Sequence, residues 1–518
     1  MRIIDFFDQG VASYAKNVAF VDDTGSVTYA EAAIETHQFA AAIYGHGYKK
    51  GTKIGVYSPN SSIAFMVLLG LMRAEGIWLP INPRNSVDSN IDLADRFDMS
   101  VMFYHSSFNE EVKQIQAAVP GIKEFVCIDG DGVHGVSLAN WAAPYAGATH
   151  TIGEEEKDDL MALFPTGGTT GKSKGVLMNH KAIETLYANF YSHLNYYENT
   201  VHLLVAPMTH TAGILGGMHF ARGGSNVIMV KADPLSILQM IDKFKVTHLF
   251  LPPTVLYMIL DHPELKKYNY SSLQHFIVGA APTSLEKLKE AVNFFGPVLT
   301  EAYGQAECPA SITVKAPWDY MRPDGTINEA RLKGIGRPCV FNTVAILDKS
   351  GQEALRGEAG EICVRGNIVT LGYYKNAEAT AEIRRHGWHW TGDIGVMDED
   401  GYITIVDRSK DMIITGGFNV YPNQVEQVLS EHPDVQEAAV VGIPDEKWGE
   451  AVKGVVQLKA DGEATEEELI TLVKERLGGV KAPKSIDFID VLPKSPVGKV
   501  LKTELRKQYW QGSDRNVN

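Results

Sequence analysis

The chain has 518 residues, 45% apolar and 21% charged, a composition of the soluble globular class with room for roughly two to four domains. Its net charge of −15 is spread without a basic run, which argues against nucleic acid as the main partner. Four cysteines (Cys127, Cys308, Cys339 and Cys363) lack paired or metal-ligand spacing, so a reducing, cytoplasmic setting is expected and a disulfide framework is not.

In chain order, the N-terminus lacks the apolar core of a signal peptide. Strand-like runs fall at Lys53–Tyr57, Ser100–Tyr104, Phe125–Ile128, Val227–Val230 and His275–Val278. Amphipathic or apolar helical stretches fall at Ile63–Ala74, Pro234–Phe244 and Ser284–Phe295. The longest apolar run, Ile63 to Met72, is too short to cross a bilayer and reads as a buried helix. Alternating strand and helix implies parallel sheets covered by helices, an α/β fold. From Gly334 the texture turns β-rich, with short strands expected at Gly334–Pro338, Thr343–Leu347, Gly360–Arg365 and Gly401–Val406. The last hundred residues read as a small α+β unit. There Asn423 with Glu426, and Thr465 with Glu468, have the spacing of a helix capping box. The expected partition is a large N-terminal domain over 1–407, a hinge at 408–412 and a small mobile domain over 413–518.

The segment Leu163 to Val176 carries four glycines, three threonines and two lysines behind a short apolar run. Glycine lets backbone N–H groups turn toward an anion, threonine adds hydroxyl donors and lysine adds charge, so Thr166, Gly167, Gly168, Thr169, Thr170, Gly171 and Lys174 form a candidate phosphate loop. A Walker loop is excluded by spacing: the position five residues before Gly171-Lys172-Ser173 is Thr166, not glycine.

Further motifs follow in order: Thr300-Glu301-Ala302-Tyr303-Gly304-Gln305-Ala306-Glu307, Trp390-Thr391-Gly392-Asp393, Asp407-Arg408-Ser409-Lys410-Asp411, Gly416-Gly417-Phe418-Asn419-Val420-Tyr421-Pro422, and Pro493-Lys494-Ser495-Pro496-Val497-Gly498-Lys499-Val500. With the phosphate loop, these resemble the core motifs of the adenylate-forming superfamily, in particular its acyl-CoA synthetases. The resemblance implies a two-step ligase that uses ATP, Mg²⁺ and coenzyme A. A carboxylate attacks the α-phosphorus of ATP to give an acyl-adenylate and pyrophosphate; a thiol then displaces AMP.

By that resemblance the 166–174 loop holds the β- and γ-phosphates, and Glu307 holds Mg²⁺, a hard cation that takes carboxylate and water oxygens. Gly279, Ala280, Ala281 and Pro282 resemble the adenine-pocket turn, with Glu301, Ala302, Tyr303 and Gly304 opposite. Asp393 and Arg408 take the ribose. Lys499 is the expected catalytic residue of the first step, and Lys410 the hinge residue. Gly416 and Gly417 face the pantetheine arm, and Trp448 resembles a contact to the CoA nucleotide. Glu426 is expected to cap its helix. Ala306 replaces a threonine usual in the family, which removes one hydroxyl from the phosphate site.

The segment Ala206 to Gly213 resembles the one whose histidine, here His210, lies at the mouth of the acyl pocket. An aspartate that would pair with an amino-acid ammonium is missing from this region, and Gly213, Gly279, Ala302 and Gly304, small residues near the pocket by the resemblance, imply room for a fatty, aromatic or other bulky hydrophobic acid. Coenzyme A is favoured as acceptor because no carrier-protein domain follows Lys499. The rival is a stand-alone adenylating enzyme that loads a carrier protein or stops at acyl-AMP. The small-molecule acid, ATP and CoA are the expected partners, with a homodimer among the expected states.

Overall fold

The computed structural model describes residues 1–166, 173–194, 200–281, 283–408, 411–416, 418–445, 447–494 and 500–510. They fall into two compact units. The larger comprises Met1–Thr166, Ser173–Thr343 and Arg365–Glu382; the smaller comprises Val344–Val364 and the chain from Ile383 onward.

The larger unit holds two sheets. One, of nine strands, has a central parallel array that runs Ser225–Ile228, Val201–Leu204, His248–Leu251, His275–Gly279 and Leu299–Gln305, with Cys308–Lys315 added antiparallel. The other, of seven strands, is parallel except where Leu160–Pro165 turns back antiparallel into Gly175–Asn179. Helices between the strands cover these arrays, as the sequence pattern requires. The helix Pro234–Phe244 shows how local chemistry sets its ends. Asp233 caps it by accepting from Ser236 N at 2.8 Å, proline occupies the first turn, and Lys245 ends it in the left-handed region at φ 52°. The apolar run expected to be buried forms the helix Ser62–Arg73. Every position from Ala64 to Arg73 is buried, and Arg73 pairs with Asp8. A core built on Leu203, Leu249, Phe276 and Leu299 fixes the parallel register. Fully burying one such side chain contributes about 2–3 kcal/mol.

In the smaller unit, Thr343–Leu347, Ala359–Arg365, Trp388–Met397, Arg384–Arg385 and Ile403–Arg408 make one five-stranded sheet. A second sheet consists of Phe418–Val420, Ile413–Thr415, Gly449–Leu458, Val435–Asp445 and Ser485–Phe488. The helices Pro422–Leu429 and Glu466–Leu477 pack on the second, their Val425, Leu469 and Val473 sharing a core with Ile413, Val440 and Val456 of the strands. The Thr465–Glu468 capping box forms as expected: Glu468 N donates to Thr465 Oγ1 at 3.3 Å, and Thr465 N to Glu468 Oε2 at 2.9 Å.

The other expected cap does not form. The helix Pro422–Leu429 begins after Tyr421, without a side-chain cap, which places Glu426 a full turn inside it. Its carboxylate is used elsewhere: it accepts from Val440 N at 2.6 Å and pairs with Lys502 Nζ at 2.7 Å. All four cysteines are buried thiols. No described helix is long and apolar enough to cross a membrane.

Candidate active site

The antiparallel pair Leu160–Pro165 and Gly175–Asn179 ends with Pro165 facing Gly175. Thr166 N donates to Lys174 O at 2.9 Å, and Lys174 N donates back to Thr166 Oγ1 at 3.2 Å. These two bonds clamp the residues on either side of the 167–172 stretch. Gly167, Gly168, Thr169, Thr170 and Gly171 themselves lie outside the described residues, as do Pro282, Lys410, Gly417 and Lys499.

Lys174 leads to the metal candidate through a residue that sequence reasoning missed. Its Nζ lies 4.9 Å from the Tyr373 ring centroid, within cation–π range. Tyr373 OH donates to Glu307 Oε1 at 2.5 Å. The backbone fixes this arrangement from both sides: Thr370 N donates to Glu307 O at 3.0 Å, and Leu177 N donates to Gly372 O at 2.8 Å. Lys174 and Glu307 thus meet at one tyrosine in the larger unit, with Thr166 bonded to the Lys174 backbone. The available signal was a glycine followed by two aromatics and a lysine, Gly372 to Lys375, between β-rich runs. Glu307 is buried, so its charge is costly unless partners stabilise it. A Mg²⁺ ion fits this chemistry, because a single buried carboxylate plus phosphate and water oxygens meets its preference. Among the described residues no three His, Cys, Asp or Glu side chains converge as a metal cage.

The adenine candidates sit where two parallel strands end. Gly279 and Ala302 face each other in register. Immediately after the strand, exposed Ala280 takes φ 72°, a left-handed conformation unusual for a residue with a Cβ. Gly304 is required by space, since a Cβ there would lie 2.4 Å from Ala310 N. Tyr303 lies opposite Thr313 across the antiparallel edge. Glu301 is engaged in the core beneath them: it accepts from Tyr320 OH at 2.7 Å and pairs with the fully buried Lys315. Lys315 also donates to the carbonyls of Arg331, Leu332 and Gly334, at 3.2, 3.0 and 2.7 Å. Burial, then the charge of Glu301, pushes the Tyr320 hydroxyl well above its ordinary value.

His210 precedes the short helix Thr211–Gly217. Its Nε2 is 3.1 Å from Asn82 Nδ2, and its ring lies edge-on to Phe164 with centroids 6.1 Å apart. Phe164 is two residues before Thr166, so His210 borders the start of the phosphate segment. Burial, then the nearby Arg84 charge, pulls the imidazole down to about 4, so it is neutral near neutral pH.

In the smaller unit, Asp393 and Arg408 are cross-strand partners in register, with Arg408 Nε 3.3 Å from Asp393 Oδ1. Asp393 N donates to Thr391 Oγ1 at 3.1 Å, and that hydroxyl donates to Ile362 O at 2.8 Å. Gly392 N donates to Glu361 Oε1 at 2.8 Å, while burial raises the Glu361 carboxyl. A buried carboxylate beside a guanidinium matches the recognition of a vicinal diol, which offers two donors and accepts from the cation. Gly416 and Trp448 are also brought together. Gly416 has φ 57°, and a Cβ on it would lie 2.6 Å from the indole; Gly416 N donates to Trp448 O at 2.8 Å. Trp448 is 43% exposed, so it is a surface aromatic and not a core residue.

The AMP-binding enzyme family model matches residues 7–374, and the AMP-binding enzyme C-terminal domain model matches 424–499. A medium/long-chain-fatty-acid–CoA ligase of Mycobacterium tuberculosis is 34% identical over 516 residues, covering 97% of this chain and 89% of that protein. A feruloyl-CoA synthase of Amycolatopsis is 31% identical over 492 residues, 93% of this chain and 94% of that protein. Among solved structures, the amide bond synthetase McbA of Marinactinospora thermotolerans superposes with a TM-score of 0.88 at 28% identity, covering 98% of this chain and 100% of that one. The chain belongs to the AMP-binding enzyme family.

Proposed function

We propose that this AMP-binding enzyme is an acid–thiol ligase that converts a carboxylic acid, ATP and coenzyme A into acyl-CoA, AMP and pyrophosphate. The meeting of Lys174 and Glu307 at Tyr373, with Thr166 bonded to the Lys174 backbone, carries the reading. Attack of one anion on a polyanion needs charge neutralised and groups held in place, and this cluster offers fixed donors, a cation and a carboxylate suited to a metal.

In the first step the 166–174 segment takes the β- and γ-phosphates; Glu307 would hold Mg²⁺, which would supply charge neutralisation at the phosphates. Asp393 accepts from the ribose hydroxyls while Arg408 donates to the sugar. Adenine lies against the Gly279–Pro282 turn, with Tyr303 on its other face and Ala302 and Gly304 leaving room for it. Lys499 stabilises the charge that develops at the α-phosphorus. We assign the domains as 1–407 and 413–518, with 408–412 as the hinge and Lys410 as the residue that absorbs its rotation. In the second step Gly416 and Gly417 accommodate the pantetheine arm, and Trp448 offers its exposed face to the CoA nucleotide. His210 lies at the mouth of the acyl pocket, and the acid is fatty, aromatic or otherwise bulky and hydrophobic. The names of the relatives, which span fatty acyl and feruloyl substrates, support that class.

The likeness to an amide bond synthetase supports a second reading, in which the adenylate is passed to an acceptor other than CoA. A panel of carboxylic acids assayed for AMP release separates the two. A ligase releases AMP in a CoA-dependent manner with at least one hydrophobic acid. Release that CoA does not stimulate would favour the second reading.

A further inference from the structure

The amide of Asn82 determines which ring nitrogen of His210 carries the proton. Arg84 N, a backbone group that can only donate, lies 3.0 Å from Asn82 Oδ1. This contact fixes the oxygen end of the amide, so the atom 3.1 Å from His210 Nε2 is the donor Nδ2. Nε2 must then accept through its lone pair, which leaves the single proton of a neutral imidazole on Nδ1. Asn82 is itself held. It is buried, its carbonyl accepts from Asn90 Nδ2 at 3.3 Å, and Asn90 Oδ1 accepts from Asn85 Nδ2 at 3.1 Å. The Nδ1 side of the His210 ring carries no hydrogen bond among the described residues.

We propose that Asn82 is a positioning residue that locks His210 as a neutral Nδ1–H donor, offered to the carboxylate of the acid being activated. This rests on the reading of His210 as a residue of the acyl pocket. The lock has two chemical consequences. The Nε2 lone pair is occupied, so His210 does not act as a base through that atom. A neutral donor orients the carboxylate without forming the ion pair that an imidazolium would make. Such a pair would stabilise the ground state and blunt the nucleophile. Arg84 is the charged group that acts on the ring, and together with burial it disfavours the imidazolium.

The test uses the full chain labelled with ¹⁵N-histidine, the His210 signals being identified by their loss in His210→Gln. The expected spectrum is that of the Nδ1–H tautomer, unchanged between pH 8 and pH 5. Asn82→Asp keeps an oxygen for Arg84 N and turns an acceptor toward the ring. It should bring His210 into titration within that range and, at pH 8 where the ring is neutral, hold the proton on Nε2 and raise KM for the acid about ten-fold, with kcat altered less than about three-fold. Asn82→Ala should give mixed tautomers and a smaller KM rise of about three-fold. An Nε2–H tautomer in an enzyme that exchanges pyrophosphate into ATP overturns the lock alone. A switched tautomer in Asn82→Asp with unchanged KM overturns the donor role. Absence of acid-dependent exchange in the wild type overturns the ligase reading and the donor role with it.

Discussion

The polar groups around Glu307 in the larger unit and around Glu426 in the smaller are positioned by different means. In the larger one, strand register and backbone bonds place Gly279 against Ala302, and Glu307 within reach of Tyr373; side-chain charge decides little of that geometry. In the smaller one, cations hold carboxylates: Lys502 pairs with Glu426 and Arg506 with Asp411, while strand register sets Asp393 against Arg408. Geometry set by the backbone tolerates loss of one side chain and so isolates its chemistry. Geometry set by ion pairs fails locally when one partner goes, because the remaining charge is left partly buried.

Substitutions on each side sharpen this contrast. Lys499→Ala should cut adenylation by about 10²–10³ while leaving thioester formation from supplied acyl-AMP within a few-fold; the two half-reactions are measured separately. Glu307→Gln should cut adenylation by about 10² and raise the Mg²⁺ concentration needed, with the unfolding midpoint little changed. Tyr373→Phe should cost less, about three- to ten-fold, because it removes one hydrogen bond to a charged group. In contrast, Glu426→Gln should destabilise the chain by about 2–3 kcal/mol in urea unfolding, since Lys502 loses its partner. If Glu426→Gln proved neutral for stability, the distinction between the units would fail.

A further effect is a dependence on pH. Burial raises the Asp407 carboxyl to about 7, with Lys502 opposing that rise and Glu426 adding to it. In the unfolded chain the same group titrates near 3.9. Between these values the folded chain holds the extra proton. This contribution is therefore fully present below about pH 4 and is lost as pH rises toward 7, by up to about 1.4 kcal/mol per pH unit. The buried His202, His219 and His248 act oppositely: burial lowers all three, so their contribution is lost as pH falls. Their rings stand in a row, with successive centroids 4.8 and 5.1 Å apart. The difference between wild type and Asp407→Asn isolates the aspartate. Between pH 5 and pH 7 the wild type should lose stability relative to the variant, as read by urea unfolding at each pH.

Much of the fold was legible because its signals are local. The run Pro234–Phe244 has an aspartate cap, a proline and an apolar stripe, and the helix has those bounds. Lys53–Tyr57 and Thr343–Leu347 are likewise strands over the residues expected. The Asn423–Glu426 cap failed because spacing cannot distinguish a capping glutamate from one that meets a distant lysine. Tyr373 and Asn82 were missed for a related reason. Each acts on a residue far away in the chain, Glu307 or His210, and only the tertiary fold makes them neighbours. Similarly, the motif around Glu301 gave no sign that Lys315 and Tyr320 hold its carboxylate.

The most direct test of the central claim is exchange of labelled pyrophosphate into ATP, with Mg²⁺ and hydrophobic carboxylic acids present and CoA omitted. The two-step account predicts acid-dependent exchange that Glu307→Gln and Lys499→Ala each reduce by about 10² or more. An enzyme that forms acyl-CoA while showing no exchange with any of these acids would contradict it.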